Sequence, residues 1–316
     1  MNRFYNLLKI EFKKTFSSTF IFIALSIFIF FIFFATNSLS GTVETAPRDD
    51  YWMSELNDQN LNIDMYISEN PDLDASKIAD LIGIKEINLY RIENNLQPIK
   101  NKSIVGLLQS NNIAYLLISI VTLIVATKII TDEFKYDSIK LLASQPFRRS
   151  EILSSKLLIV FITPFISMLI MFILSILFGG IYFGVDDLSS VYVGYVDNAI
   201  VRQSYMLFIF KQWVQQSISL ISISTMALFL GIVFKNAIIS ILTSVLTYIL
   251  GTYLTVFFIQ YEWIKYTVFP HVNYYLYVYD DVVLPTYSVE FSYMIVLLYL
   301  VIFVCGSFIV FNKKEF

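Results

Sequence analysis

The sequence predicts an all-α polytopic membrane protein: six transmembrane helices, an N-terminal interfacial helix, and an external insertion between the first two spans. Three observations carry this. The chain is 57% hydrophobic and only 15% charged, against about 25% charge and about 45–50% apolar residues in a soluble domain. Its apolar residues gather into runs near the length of about 20 residues that a helix needs to cross the hydrocarbon core. Its Lys and Arg residues cluster in alternate connections, the pattern that fixes orientation in a bilayer.

The runs fall at residues 17–37, 112–130, 157–183, 214–234, 237–259 and 291–311. Backbone groups in lipid must be satisfied within each segment, and no strand-like alternation is read in the chain, so each run is expected as a helix. The third is long enough to tilt, and Pro164 is an expected kink site. Arg3, Lys9, Lys13 and Lys14 precede the first span. Lys128, Lys135, Lys140, Arg148, Arg149 and Lys156 join the second to the third. Lys235 stands between the fourth and fifth, and Lys313 and Lys314 follow the sixth. The other connections are acidic, with Asp186, Asp187 and Asp197 after the third span and Glu262, Asp280, Asp281 and Glu290 after the fifth. Both termini are therefore expected in the cytoplasm, in a multi-pass protein of the bacterial cell membrane.

Residues 38–111 are then external. They carry twelve Asp/Glu against six Lys/Arg and look partly helical, with Asn70–Pro71 as a start signal and Leu81, Ile84 and Ile87 at spacing three. The organisation expected is one membrane domain over residues 1–316 with this insertion inside it. Near the N-terminus, Met1, Phe4, Tyr5, Leu8 and Phe12 project onto one stripe and Asn2, Asn6, Lys9 and Lys13 onto another, as in a short helix lying in the membrane interface. Between the fifth and sixth spans, "QYEWIKYTVFPHVNYYLYVYDD" is dense in Tyr and Trp, residues that favour the membrane–water boundary.

One segment is unlike the rest. "TDEFKYDSIKLLASQPFRRSEILSSKLL", residues 131–158, is compact and charged between two apolar runs. Acidic residues come early and basic ones late, Leu141 and Leu142 supply apolar area between them, and Pro146 breaks the helical pattern. Ser150 is the expected cap of a new helix that enters the third span. The shape predicted is helix, break, helix, on the cytoplasmic face.

This segment resembles the cytoplasmic region of type-2 ABC exporter permeases. That family often shows an acidic residue, a small pair, two apolar residues, a Pro, a basic residue and a Lys near the next span. Here Glu133, the Leu141–Leu142 pair, Pro146, Arg148–Arg149 and Lys156 keep that order, while Asp137–Ser138 stands where the small pair is usual. The resemblance implies a coupling helix that docks on a separate ATPase subunit, with Glu133, Asp137, Leu141, Leu142, Pro146, Phe147, Arg148 and Arg149 as the ATPase-coupling residues. It also implies short helices dipping into the outer leaflet over residues 260–290. The assembly implied is two permeases, a homodimer rather than a heterodimer, with two copies of the ATPase in the lipid bilayer. The substrate class implied is hydrophobic or amphipathic, an antimicrobial peptide or drug ahead of a lipid-linked glycan or an ion. Gln212, Gln215 and Gln216, polar residues near the start of the fourth span, are candidates for a substrate path.

No G-x-x-x-x-G-K-[ST] occurs, so ATP hydrolysis is expected in the partner and not in this chain. The single histidine, His271, and single cysteine, Cys305, give no His/Cys metal set and no disulfide, and no cofactor is expected. A serine hydrolase would have to use His271 without a G-x-S-x-G. The net charge of −3 gives no reason to expect a nucleic acid. The rival reading is a membrane-anchored sensor or assembly protein with no transport activity. The topology is checked with single cysteines at Ser54 and Ser138 in a Cys305→Ala background. An impermeant thiol reagent is expected to reach them from opposite sides of the membrane; labelling from one side contradicts the six-span layout.

Overall fold

The computed structural model describes residues 2–16, 26, 28–30, 33, 51–73, 75–99, 102–109, 112–135, 147–185, 189–196, 199–258, 261–272 and 289–313. It is mostly helical. Five helices are long and apolar enough to cross a membrane: residues Tyr115–Lys135, Arg149–Phe183, Tyr205–Phe234, Ala237–Phe257 and Glu290–Lys313. The first expected span lies almost wholly outside the described residues. Asp137, Leu141, Leu142 and Pro146, with the rest of 136–146, also lie outside them, as do 273–288.

In chain order the elements are α1 (Asn2–Phe16), α2 (Trp52–Glu69), α3 (Ala75–Glu93), α4 (Ile104–Gln109), α5 (Asn112–Lys135) and α6 (Arg149–Phe183). A hairpin of β1 (Val191–Val196) and β2 (Ala199–Ser204) follows, then α7 (Tyr205–Phe234), α8 (Ala237–Phe257), a 3-10 turn at Glu262–Tyr266, α9 (Phe269–Val272) and α10 (Val289–Lys313). The chain forms two compact units. One comprises Met1–Phe31, Asn112–Phe172 and Gln212–Phe316; the other comprises Ile32–Asn111 and Ile173–Lys211. The second unit thus takes in residues 173–211 as well as the insertion read from sequence.

The first unit is a helix bundle. Leu123, Ile130, Leu153, Ile159, Ile223, Ala227 and Leu228 are in its core. Small residues set how closely its helices approach, as is usual between helices in lipid. A Cβ on Gly231 of α7 would stand 2.7 Å from Ile130 Cγ2 and 3.3 Å from the Thr127 carbonyl on α5. Helix α8 turns Ser240, Ser244, Tyr248, Gly251 and Thr255 inward and packs on α5, while Leu242, Leu246, Leu250 and Leu254 are exposed. Helices α7 and α8 meet at a sharp reversal: Lys235 takes a left-handed φ of 55°, and Asn236 caps α8 by accepting from the backbone N–H of Ile238 and Ile239.

Helix α6 begins earlier than the sequence suggested and runs unbroken through Pro164 for 35 residues, about 52 Å, so it overreaches a hydrocarbon core of about 30 Å. Its cap is not Ser150. The Arg148 backbone N–H donates to Glu151 Oε2 at 2.7 Å, so Arg148 is the N-cap and Glu151, three residues on, reaches back to it.

In the second unit α2 and α3 form an antiparallel helical hairpin, joined inside by Asn88 Nδ2 donating to Asn60 Oδ1 at 3.0 Å. Asn70 closes α2 rather than opening α3: its side chain donates to the Tyr66 carbonyl. Ile84, read as part of an apolar stripe, is 43% exposed, and Gly83 and Asn88 are the buried residues of α3 in its place. The strands are a departure from the all-α expectation. β1 and β2 pair antiparallel from Val191↔Ser204 to Val196↔Ala199 and pack on α3, where the Tyr195 ring would lie 2.9 Å from a Cβ on Gly83.

Candidate functional site

The described ends of the charged segment meet at a buried ion network. α1 supplies Glu11 and Lys14, the last turn of α5 supplies Glu133, and the second turn of α6 supplies Lys156. Lys156 is fully buried. Its ammonium has three donors and meets three acceptors: Glu11 Oε1 at 2.9 Å, Glu133 Oε1 at 3.2 Å and the Ile129 carbonyl at 3.1 Å. Lys14, half-exposed, donates to the same Glu133 oxygen at 2.5 Å. Glu11 and Glu133 are buried, and Glu11 Oε2 has no hydrogen-bond partner among the described residues.

Local rules alone would not put these charges here. Glu133 sits in the last turn of α5, where the helix end carries partial negative charge and disfavours a carboxylate. Lys156 stands in a helix mean-apolar enough to span lipid, where an unpaired ammonium is expensive. Each is accommodated because the other, with Glu11 and Lys14, surrounds it. Burial pushes Lys14 down, but the hydrogen bond and charge of Glu133, with the charges of Glu11 and Asp132, outweigh this and hold its ammonium above the ordinary 10.5. Its contribution is therefore intact at neutral pH and is lost only as the pH rises past 10.5 and through the folded value.

Other contacts gather at the same end of this unit. Arg149 donates to the Asn312 carbonyl at 3.2 Å, near the C-terminus of α10, where a cation complements the helix dipole. The Lys235 ammonium lies 5.7 Å from the Phe134 ring centroid. Phe147 packs against the core. Four of the basic positions that sequence assigned to one side of the membrane, Lys14, Lys156, Arg149 and Lys235, thus converge with α1, the end of α5, the start of α6 and the α7–α8 turn.

A second polar cluster surrounds His271. Its Nε2 lies 2.7 Å from the Lys265 carbonyl, which can only accept. The proton is therefore on Nε2, and Nδ1 accepts from Ser292 Oγ at 3.0 Å. The His271 carbonyl accepts from Ser219 of α7 and the Val272 carbonyl from Tyr115 of α5. A Cβ on Gly251 would stand 2.1 Å from the Phe269 ring, so only glycine admits this close seat on α8. His271 is 1% and Ser292 3% exposed, so this buried Ser–His pair ties α9 to α10. Gln212 and Gln215 are half-buried and Gln216 is buried, two to three turns into α7 and not at its start. No group of three or more His, Cys, Asp or Glu suited to a metal occurs among the described residues.

Sequence reasoning missed the ion network. It read Lys156 as a basic residue of the connection leading into the third span and gave Glu11 no role. The available signal was that Glu11 is the one acid in the first 43 residues, on a helix otherwise basic.

Residues 85–316 match the family described as "Protein of unknown function (DUF2705)", and the chain belongs to that family. It is similar to a Bacillus subtilis (strain 168) protein, "Uncharacterized protein YhcI", at 28% identity over 283 residues, covering 88% of each chain. No solved structure matches it.

Removing one partner of a buried ion pair costs about 3–5 kcal/mol. Lys156→Met is expected to lower unfolding stability in detergent by that order and Lys156→Arg by less; a Lys156→Met loss below about 1 kcal/mol would show that the network contributes little. His271 is held below the ordinary 6.5, mainly by burial, with the Lys265 hydrogen bond pulling the other way. Above pH 6.5 the ring is neutral in both folded and unfolded chains. As the pH falls through 6.5 the unfolded chain takes up the proton first, so stability drops until the folded value is passed. Thermal unfolding from about pH 8 to about pH 5 is expected to show this drop, and His271→Gln, which removes the only histidine, to flatten it.

Proposed function

We propose that the chain is the membrane-spanning subunit of an ABC exporter. It has six spans, the first at residues 17–37, with α1 in the membrane interface, residues 38–111 outside the cell, and both termini in the cytoplasm of a bacterial cell. Two copies work with two copies of a separate ATPase subunit to move a hydrophobic or amphipathic substrate outward, an antimicrobial peptide or drug by preference. Residues 262–272 are the near part of a cap dipping into the outer leaflet, and Gln212, Gln215 and Gln216 lie along the substrate path.

The observation that carries this reading is the closure of the charged segment. Glu133 precedes residues 136–146 and Lys156 follows them, and the two are joined at 3.2 Å and shared with α1. A segment so clamped moves with the helices that hold it. That is the property a coupling element needs when an ATPase pair closes beneath it and drives a rigid-body shift. An ordinary connecting loop has no use for two buried charges at its roots and a third, Glu11, brought to them from α1.

The experiment is co-purification and ATPase stimulation with the cognate ATPase, and the sensitive positions are Leu141 and Leu142. Burying a leucine in a partner groove is worth roughly 1.5–3 kcal/mol, and Asp at the docked position also strands a charge. At least one of Leu141→Asp and Leu142→Asp is expected to insert normally yet bind the ATPase about tenfold more weakly or worse. Wild-type binding and transport by both variants, or ATP hydrolysis by the purified chain alone, would remove the proposal.

A further inference from the structure

The ion network fixes the rotation of α1, and the face this leaves outward has a definite chemistry. Leu7 and Glu11 point into the bundle, 2% and 3% exposed. Successive residues turn by about 100°, so Tyr5 and Phe12 fall together on one outward flank and Lys9 and Lys13 on the flank beside it, while Phe16 packs against the core. Tyr5 is 66% and Phe12 39% exposed, the Phe12 and Phe16 rings meet at 4.4 Å between centroids, and Lys9 and Lys13 are exposed. The acid of this helix is turned inward onto Lys156, so the outward face is aromatic and cationic.

We propose that this face of α1 docks on the anionic headgroups of the bilayer. Two observations select a lipid surface over a protein. α1 leads directly into the apolar run that begins at residue 17, which places its C-terminal turn at the membrane boundary. The aromatic and basic flanks are also arranged as an interfacial helix requires, with rings toward the acyl chains and ammonium groups toward phosphates. The lysines select among headgroups: a basic residue near an anionic leaflet gains about 1 kcal/mol, roughly fivefold in local lipid enrichment per lysine, and salt screens it. The inference rests on the interfacial placement of α1 and not on any ATPase partner.

The test uses the full-length permease in nanodiscs, with Cys305→Ala and an environment-sensitive fluorophore on Phe12→Cys, and in a second preparation on Tyr5→Cys. Trace nitroxide-bearing phosphatidylglycerol or phosphatidylcholine is the quencher. Phosphatidylglycerol is expected to quench several-fold more strongly at low salt. Lys9→Gln with Lys13→Gln, folded by its elution profile, is expected to bring the two lipids level, as is high salt. Equal quenching by both lipids in the wild type, or a preference that survives the double substitution, overturns the proposal. So does a probe shielded from both lipids and from aqueous quencher, because a second copy or a protein partner then covers the face. Failure of the ATPase experiment leaves this readout untouched.

Discussion

The Lys156 ammonium is the point on which the described half of the cytoplasm-assigned end depends. Three helices meet there through its three hydrogen bonds: α6, which carries it, α1 by Glu11, and α5 by the Ile129 carbonyl and, one turn on, by Glu133. Each carboxylate is buried, so none of these charges has water to fall back on. Buried ion pairs are weak contributors to net stability when compared with well-packed apolar residues, but removal of one member is severe. The network therefore acts as a specification: it leaves α1 one rotation on the bundle and α6 one axial position against α5.

The spans were legible because their signal is coarse. A run of about 20 apolar residues needs no knowledge of partners, and five of the six expected helices stand where the runs placed them, four of them extended at one end or both by residues that hydropathy discards. Helix α7 starts at Tyr205 and α6 at Arg149, because a helix does not stop where lipid stops. The hairpin was missed for the opposite reason. Its strands are six residues each, too short to register beside the spans, although "VYVGYV" and "AIVRQS" flank an Asp-Asn pair of the kind that hairpin turns favour.

The α1 projection left the rotation of the helix on the bundle open. Sequence grouped Met1, Phe4, Tyr5, Leu8 and Phe12 into an apolar stripe suited to the membrane interface, whereas in a soluble protein such a stripe would face the core. Here Tyr5 and Phe12 are exposed, and Leu7 and Glu11 are buried. A helix between a protein and a lipid surface has two apolar environments to choose from, so apolarity does not decide its rotation. The carboxylate decides: Glu11 has a fully buried lysine to satisfy, and lipid offers it nothing. The inward side of such a helix is marked by its one residue of the wrong charge.

The same logic joins the network to the segment it brackets. Separating Glu133 from Lys156 would leave a carboxylate and an ammonium buried with fewer partners, at a cost of several kcal/mol. Under the proposed function, a force on residues 136–146 would therefore not be absorbed by opening Glu133 from Lys156. It would pass to α5 and α6 together, and through Glu11 to α1. Polar surface contacts would give way locally and dissipate it. A buried network at the base of a charged connection is costly to build, and it is what the proposed coupling role would require.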